Sequence, residues 1–295
     1  MGLFKQLFGG EKNEGEGRRP QRNDMVEKLI PFIREKTTVE YMKLKPAKEP
    51  TTPMNSKLGG VPYMPLEAEY PYDRTEGREA VPLRFLAQIN FGEMPEMEGF
   101  PREGILQFFV GDDSSYGMNY EDMTEQKGFR VLYHEKVSDA PPLQDSLPDR
   151  PETEEEPSFP FSEELRLYFE KEEMAMGGGD FRFDTLLLAA YNEMHPDLPM
   201  KTLERVPEKV MDELYDRLDC SGHHLGGYPA FTQLDPREYS ENLRAYSMLL
   251  LQLDSEENDD YAICWGDSGI CHFFIRPEDL KNRDFSNVAY SWDCY

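Results

Sequence analysis

Long apolar runs are missing from this sequence. None approaches the roughly 20 residues that a membrane-spanning helix requires, which argues against stable membrane insertion. Positive charge is scarce: 32 Lys and Arg face 58 Asp and Glu, a formal net charge of −26. A surface field of that sign repels phosphate backbones and anionic lipid, so no nucleic acid is expected as a ligand. The same field attracts a basic partner, or simply keeps the chain soluble. Cysteine is sparse too. Cys220, Cys264, Cys271 and Cys294 all lie in the C-terminal part, and no pair has the C-x-x-C spacing of a zinc knuckle or redox motif. Free thiols in a reducing cytoplasm are the simplest reading. No dinucleotide fingerprint occurs, and Gly177-Gly178-Gly179 lacks the lysine and hydroxyl residue of a phosphate loop. That triplet reads as a flexible turn, and no cofactor is expected.

What is present is enough apolar sequence for a real core. The chain has 295 residues, one large domain or two ordinary ones. The segment MGLFKQLFGGEKNEGEGRR is too short in its apolar part for a secretory signal, and Gln6 stands where a myristoylation signal has Ser or Thr. Residues 1–22 read as a flexible leader.

The most informative feature is internal. LGGVPYMP (58–65), LAQINF (86–91) and GILQFFV (104–110) recur in order as LGGYPAFT (225–232), LLQLDS (250–255) and GICHFFI (269–275). Leu58 to Gly104 and Leu225 to Gly269 span nearly the same distance. The pattern predicts a duplicated unit. Each Leu-Gly-Gly-x-Pro reads as a bend, since glycine permits positive φ and proline fixes an extended exit. The apolar runs read as strands, with two more at Phe129–Val137 and Leu165–Glu172. Helices are expected around Val26, Leu29, Ile30 and Ile33, at Thr185–Glu193, and after Pro207 on the stripe Val210, Met211, Leu214 and Leu218. The halves are then 23–138 and 165–295, joined by an acidic, Pro-rich connector at 139–164, and are expected to form one structural domain. The expected fold is α+β: internally duplicated β-α-β units with a mainly antiparallel sheet, packed as one body.

LGGVPYMP, FLAQINF, GILQFFV, LGGYPAF, LLLQLD, WGDSGICHFFI and the terminal WDCY resemble the YwqG-like family of bacterial domains of unknown function, over about Thr51 to Tyr295. The resemblance implies two similar β-α-β units in one α+β body. It also implies a bacterial cytoplasmic protein with no established activity, of a kind suggested to act near toxin systems as immunity or interaction proteins. It supplies no catalytic residues.

Gly266-Asp267-Ser268-Gly269 imitates the surroundings of a protease nucleophile. A serine nucleophile needs a base and a group that orients it, and the matching corner before Gly104 is Pro101-Arg102-Glu103, without serine. A turn explains both copies. Cys271 and His272, adjacent on a strand, face opposite ways and cannot easily share a metal ion. No metal is expected, and Asp254–Asp260 reads as a solvated acidic loop. Gln88 and Gln252 occupy matching places inside apolar strands. They tie each strand to neighbouring backbone, or they face a cleft between the halves with His223, His224, Asp254 and Asp267. No catalytic set emerges. The expected function is a non-enzymatic acidic interaction module, with an immunity-type protein that binds a basic toxin domain as its specific form. The alternative is a small-molecule binder or hydrolase using that cleft.

Overall fold

The apolar segments of the sequence become neighbouring strands. The computed structural model describes residues 22–65, 67–77, 80–138, 148 and 159–295. The leader up to residue 21 and most of the connector, with its acidic run Glu152–Glu156, lie outside the described residues. Strands β1 (Val39–Ala47), β2 (Lys57–Leu58), β3 (Arg84–Asn90), β4 (Ile105–Val110), β5 (Phe129–His134) and β6 (Leu165–Met174) come first. Strands β7 (His224–Gly226), β8 (Met248–Asp254), β9 (Glu256–Glu257), β10 (Ala262–Ile263), β11 (Ile270–Ile275) and β12 (Val288–Asp293) follow. Ten of them form one sheet in the order β12-β11-β8-β7-β1-β6-β2-β3-β4-β5. Every neighbouring pair in it is antiparallel. Strands β9 and β10 pair separately across the acidic loop.

The sheet curls until its ends meet. Phe129 of β5 lies 5.0 Å, ring to ring, from Tyr290 of β12, and Phe108 of β4 lies 4.8 Å from Phe273 of β11. Leu106, Phe108 and Val110 point into the same core as Cys271, Phe273 and Ile275. The alternate residues Gln107 and His272 are buried on the outer face, beneath the bend segments. The result is a nearly closed, barrel-like sheet.

This corrects the expected α+β fold of repeated β-α-β units: the protein is mainly β. A β-α-β unit places its helix in a crossover between parallel strands, and the sheet has no parallel pair. Helices do form where the apolar stripes lie: α1 (Arg22–Thr37), α2 (Phe183–Met194) and α3 (Glu208–Arg217). They pack on one another, through Leu29, Ile33, Leu187, Val210 and Leu214, as a cluster separate from the barrel core. Two short helices lie between later strands, α4 (Pro236–Tyr239) between β7 and β8 and α5 (Pro277–Asn282) between β11 and β12.

The seam between the sheet's ends is sealed by one side chain in particular. Gln126 Oε1 accepts the Val131 N–H of β5 at 2.9 Å, while its Nε2 donates to Phe285 O and Ser286 O, just before β12, at 2.9 and 3.0 Å. Exposed strand edges are otherwise open to pairing with other chains. Gln126→Ala is expected to lower unfolding free energy by about 1–2 kcal/mol, read from urea denaturation. Unchanged stability would assign the seam to the aromatic contacts and to the β12 bonds from the Tyr290 N–H to Met123 O and from Trp292 Nε1 to Ser115 O.

Candidate functional site

Gln88 and Gln252 are fully buried, and both bind the bend segments that precede them. Gln88 Oε1 accepts the Tyr63 N–H and a Gln107 Nε2 hydrogen, both at 2.8 Å, and its Nε2 donates to Pro53 O and Asn55 O at 2.8 and 2.9 Å. Gln252 Oε1 accepts the Ala230 N–H at 3.0 Å, and its Nε2 donates to Cys220 O and Gly222 O at 2.9 and 3.0 Å. Tyr63 and Ala230 stand at the same place in their Leu-Gly-Gly segments. Buried amides must be satisfied, and here the satisfaction fastens each bend to its strand.

Of the remaining sequence candidates, His223, His224 and Asp254 gather near Gln252, while Gln88 and Asp267 lie elsewhere. His223 Nδ1 accepts the Asp254 N–H at 3.0 Å, and its Nε2 donates to Glu256 Oε2 at 2.9 Å. That bond, with one from the Tyr261 hydroxyl at 2.9 Å, outweighs burial and holds Glu256 down to about 2. Asp254 Oδ2 accepts the Gly222 N–H at 2.7 Å, and burial raises its pKa. His224 is buried against Cys220 O and Gly226 O, and burial lowers it to about 4. Apart from the two side-chain bonds to Glu256, these bonds hold backbone to side chain.

Asp267 and Ser268 lie in an exposed turn. Gly266 and Ser268 have φ of +54° and +57°, and the Gly269 N–H closes the turn onto Trp265 O at 2.7 Å. A side chain at Gly269 would strike the Asp293 carbonyl. The corner is built by backbone fit. Among the described residues no group of three His, Cys, Asp or Glu side chains could hold a metal ion.

One concavity among the described residues is missed by sequence patterns. It has a volume of about 480 Å³ and lies between the Gly177–Asp180 turn, the end of α3 and the 229–238 segment. Its carboxylates are Asp180, Asp184, Asp219, Asp235 and Glu238, and among the described residues no lysine or arginine lines it. The glycine triplet is a tightly packed wall. Gly178 lies flat against the Tyr215 ring, and Gly179 against the backbone of Pro229 and Ala230, so neither leaves room for a Cβ.

Two of the five carboxylates are neutralised from behind. Asp180 binds Arg182 Nε at 2.7 Å and Arg237 at 3.4 Å. Burial alone would raise its pKa, but these two guanidiniums outweigh it and hold the group below its ordinary value. Asp235 binds Arg237 through both oxygens, at 2.9 and 2.7 Å, and caps α4 through the Arg237 N–H. The other three, Asp184, Asp219 and Glu238, are exposed and form no ion pair among the described residues. Around them stand exposed Tyr215 and Leu234, with Tyr239 beside Glu238. The arrangement offers negative charge beside the exposed Tyr215 and Leu234, and its one thiol, Cys220, bonds to the backbone carbonyls of Ala175 and Leu218 rather than to a base.

Among the described residues no helix is long and apolar enough to cross a membrane. No curated protein matches the chain. Residues 56–294 match the family described as Domain of unknown function (DUF1963), a span that covers the whole sheet except β1 and includes every wall of the cavity; the chain belongs to that family.

Proposed function

We propose that this protein is a non-enzymatic binding module whose acidic cavity docks a cationic side chain of a basic polypeptide. The observation that carries the reading is the trio Asp184, Asp219 and Glu238, without an ion pair among the described residues, around a cavity that also presents Tyr215 and Leu234 and that no described lysine or arginine lines. An Arg or Lys stem packs on surface such as Tyr215 and Leu234 while its charged head meets carboxylate. The net charge of −26 speeds encounter with such a partner and makes it salt-sensitive. The resemblance to YwqG-like domains favours a toxin domain as the partner, in the manner of an immunity protein. Four free thiols fit a reducing cytoplasm.

The test is calorimetric titration with an arginine-rich peptide at low and high salt. The wild type is expected to bind, and the D184N/D219N/E238Q variant to bind at least about tenfold more weakly, the loss of roughly 1.4 kcal/mol. Equal affinity in the variant would remove the cavity from the reading, and no binding by the wild type would remove the reading itself.

A further inference from the structure

The four cysteines are free thiols, and two of them meet at Gly266. Cys264 Sγ donates to the Gly266 carbonyl oxygen at 3.4 Å. Cys294 Sγ lies 2.9 Å, and Cys294 Cβ 3.3 Å, from the point that a Cβ on Gly266 would occupy. The Cys294 side chain therefore fills the space that a side chain at 266 would need. Glycine leaves that space free, and it also accepts the φ of +54° found there. On the third side, the Tyr116 hydroxyl accepts the Gly266 N–H at 3.2 Å. Burial above all, and then the charges of Cys264 and Cys294, raise the pKa of that hydroxyl against the opposing effect of the Gly266 bond.

The backbone holds both thiols at this corner. The Cys264 N–H bonds to Pro160 O at 2.7 Å just past β10, and Cys294 O accepts Gln233 Nε2 at 2.7 Å just past β12. The Tyr295 N–H reaches Asp267 O at 3.3 Å, so the segment after β12 runs across the 264–269 turn. Cys264 is exposed and Cys294 half-buried, which lets a small molecule reach the pair. The other two thiols do not compete. Cys220 and Cys271 are buried, and burial pushes Cys220 up to about 12 and Cys271 well above its ordinary value. Both stay protonated, and the thiolate is the reactive form.

We propose that Cys264 and Cys294 are a redox pair, which a low-molecular-weight disulfide of the glutathione class closes into an intramolecular disulfide. The Cys264 thiolate attacks one sulfur of the small disulfide, whose S–S bond breaks. The other half leaves as a thiolate and takes up the proton that Cys264 released. The Cys294 thiolate then attacks Cys264 Sγ in the mixed disulfide and expels the second small thiol in the same way. The two protein thiols give up two electrons, and one small disulfide is reduced to two thiols. The product ties the 264–269 turn to the segment after β12, and an excess of small thiol reverses it.

The test is incubation of the full chain with oxidised glutathione, followed by intact-mass measurement under denaturing conditions and peptide mapping without reductant. The expected product is a monomer lighter than the reduced chain by two hydrogens, with one pair of peptides linked through Cys264 and Cys294. Dithiothreitol is expected to restore the starting mass. Cys294→Ser is expected to stop at a stable glutathione adduct on Cys264, because the second thiol is gone. Cys264→Ser is expected to form an adduct at least about tenfold more slowly, since the thiol left in the pair is half-buried. The proposal is overturned if the wild type keeps all its thiols, if it accumulates glutathione adducts without the link, or if the link takes in Cys220, Cys271 or a second copy of the chain. It is equally overturned if Cys294→Ser still loses two hydrogens.

Discussion

Arg237→Met is expected to destabilise the protein by about 3–5 kcal/mol, the range for removing one partner of a buried ion pair. Arg237 is 1% exposed, with its guanidinium 4.2 Å from the Phe274 ring centre and 5.2 Å from that of Phe181. Methionine preserves much of this packing, so the variant isolates the charge. Asp180 would keep Arg182, but Asp235 would keep only backbone N–H donors, from Phe181 and residue 237. Acidity gives the signature. In the wild type Asp180 is held below its ordinary pKa, so its contribution is present above about pH 4 and is lost as pH falls through the lower folded value. Without Arg237 the buried carboxylates protonate more readily, and the gap between variant and wild type narrows as pH approaches 4. Adding Asp180→Asn and Asp235→Asn to the variant should recover part of the loss. Chemical denaturation at pH 7 and pH 4.5 measures both effects, and a loss under 1 kcal/mol at pH 7 would sink the idea. The consequence for function is direct, since Asp180, Phe181 and Asp235 are walls of the cavity.

The glutamines were legible in the sequence because an amide inside an apolar run has few alternatives to a backbone partner. Gly104 and Gly269 were legible for a similar reason: both stand where backbone packs on backbone, against His134 O and Asp293 O. The barrel was not. Of its central pair, β6 was expected as a strand over Leu165–Glu172, but β1 turns Lys43 and Lys45 outward toward Glu172 and Glu170, and such charged alternation resembles loop or helix surface until the pairing is known. β2 and β7, of two and three residues, are too short to leave a period. The helical stripes were real, but period alone does not say whether a helix crosses between parallel strands or packs on other helices. The cavity was the least legible element. Its carboxylates come from separate segments, and in a chain with 58 acids no local excess marks them. The one local sign was the glycine triplet ahead of Asp180, whose close packing becomes evident only beside Tyr215 and Pro229.

A second large effect is expected from acid. Burial lowers three histidines, His134 and His224 to about 4 and His272 to about 3. His134 Nε2 lies 2.9 Å from Gln107 Oε1, and His272 Nε2 donates to Ala230 O at 2.6 Å while its Nδ1 has no partner. Each is neutral in the fold and titrates near 6.5 once unfolded. A depressed folded pKa gives stability that is present above 6.5 and lost as pH falls toward the folded value. Each imidazole then removes about 1.4 kcal/mol per pH unit, roughly 3–5 kcal/mol over its window, against a typical total of about 5–15 kcal/mol. Glu256, held down to about 2, and Asp180 act only at lower pH. Asp254 and Asp293, raised by burial, oppose the trend near the carboxylate range. Unfolding followed by tryptophan fluorescence is therefore expected between pH 6.5 and 4. His272→Gln is the informative variant. Gln107 holds the corresponding place in β4 and donates to Tyr63 O at 2.6 Å, the same bond that His272 makes to Ala230 O. The substitution should keep that bond and lower the acid midpoint, because one proton acceptor of the unfolded chain is gone. Stability that stays flat between pH 7 and 5, or an acid midpoint unmoved in His272→Gln, would show that the buried imidazoles do not set the acid limit of this fold.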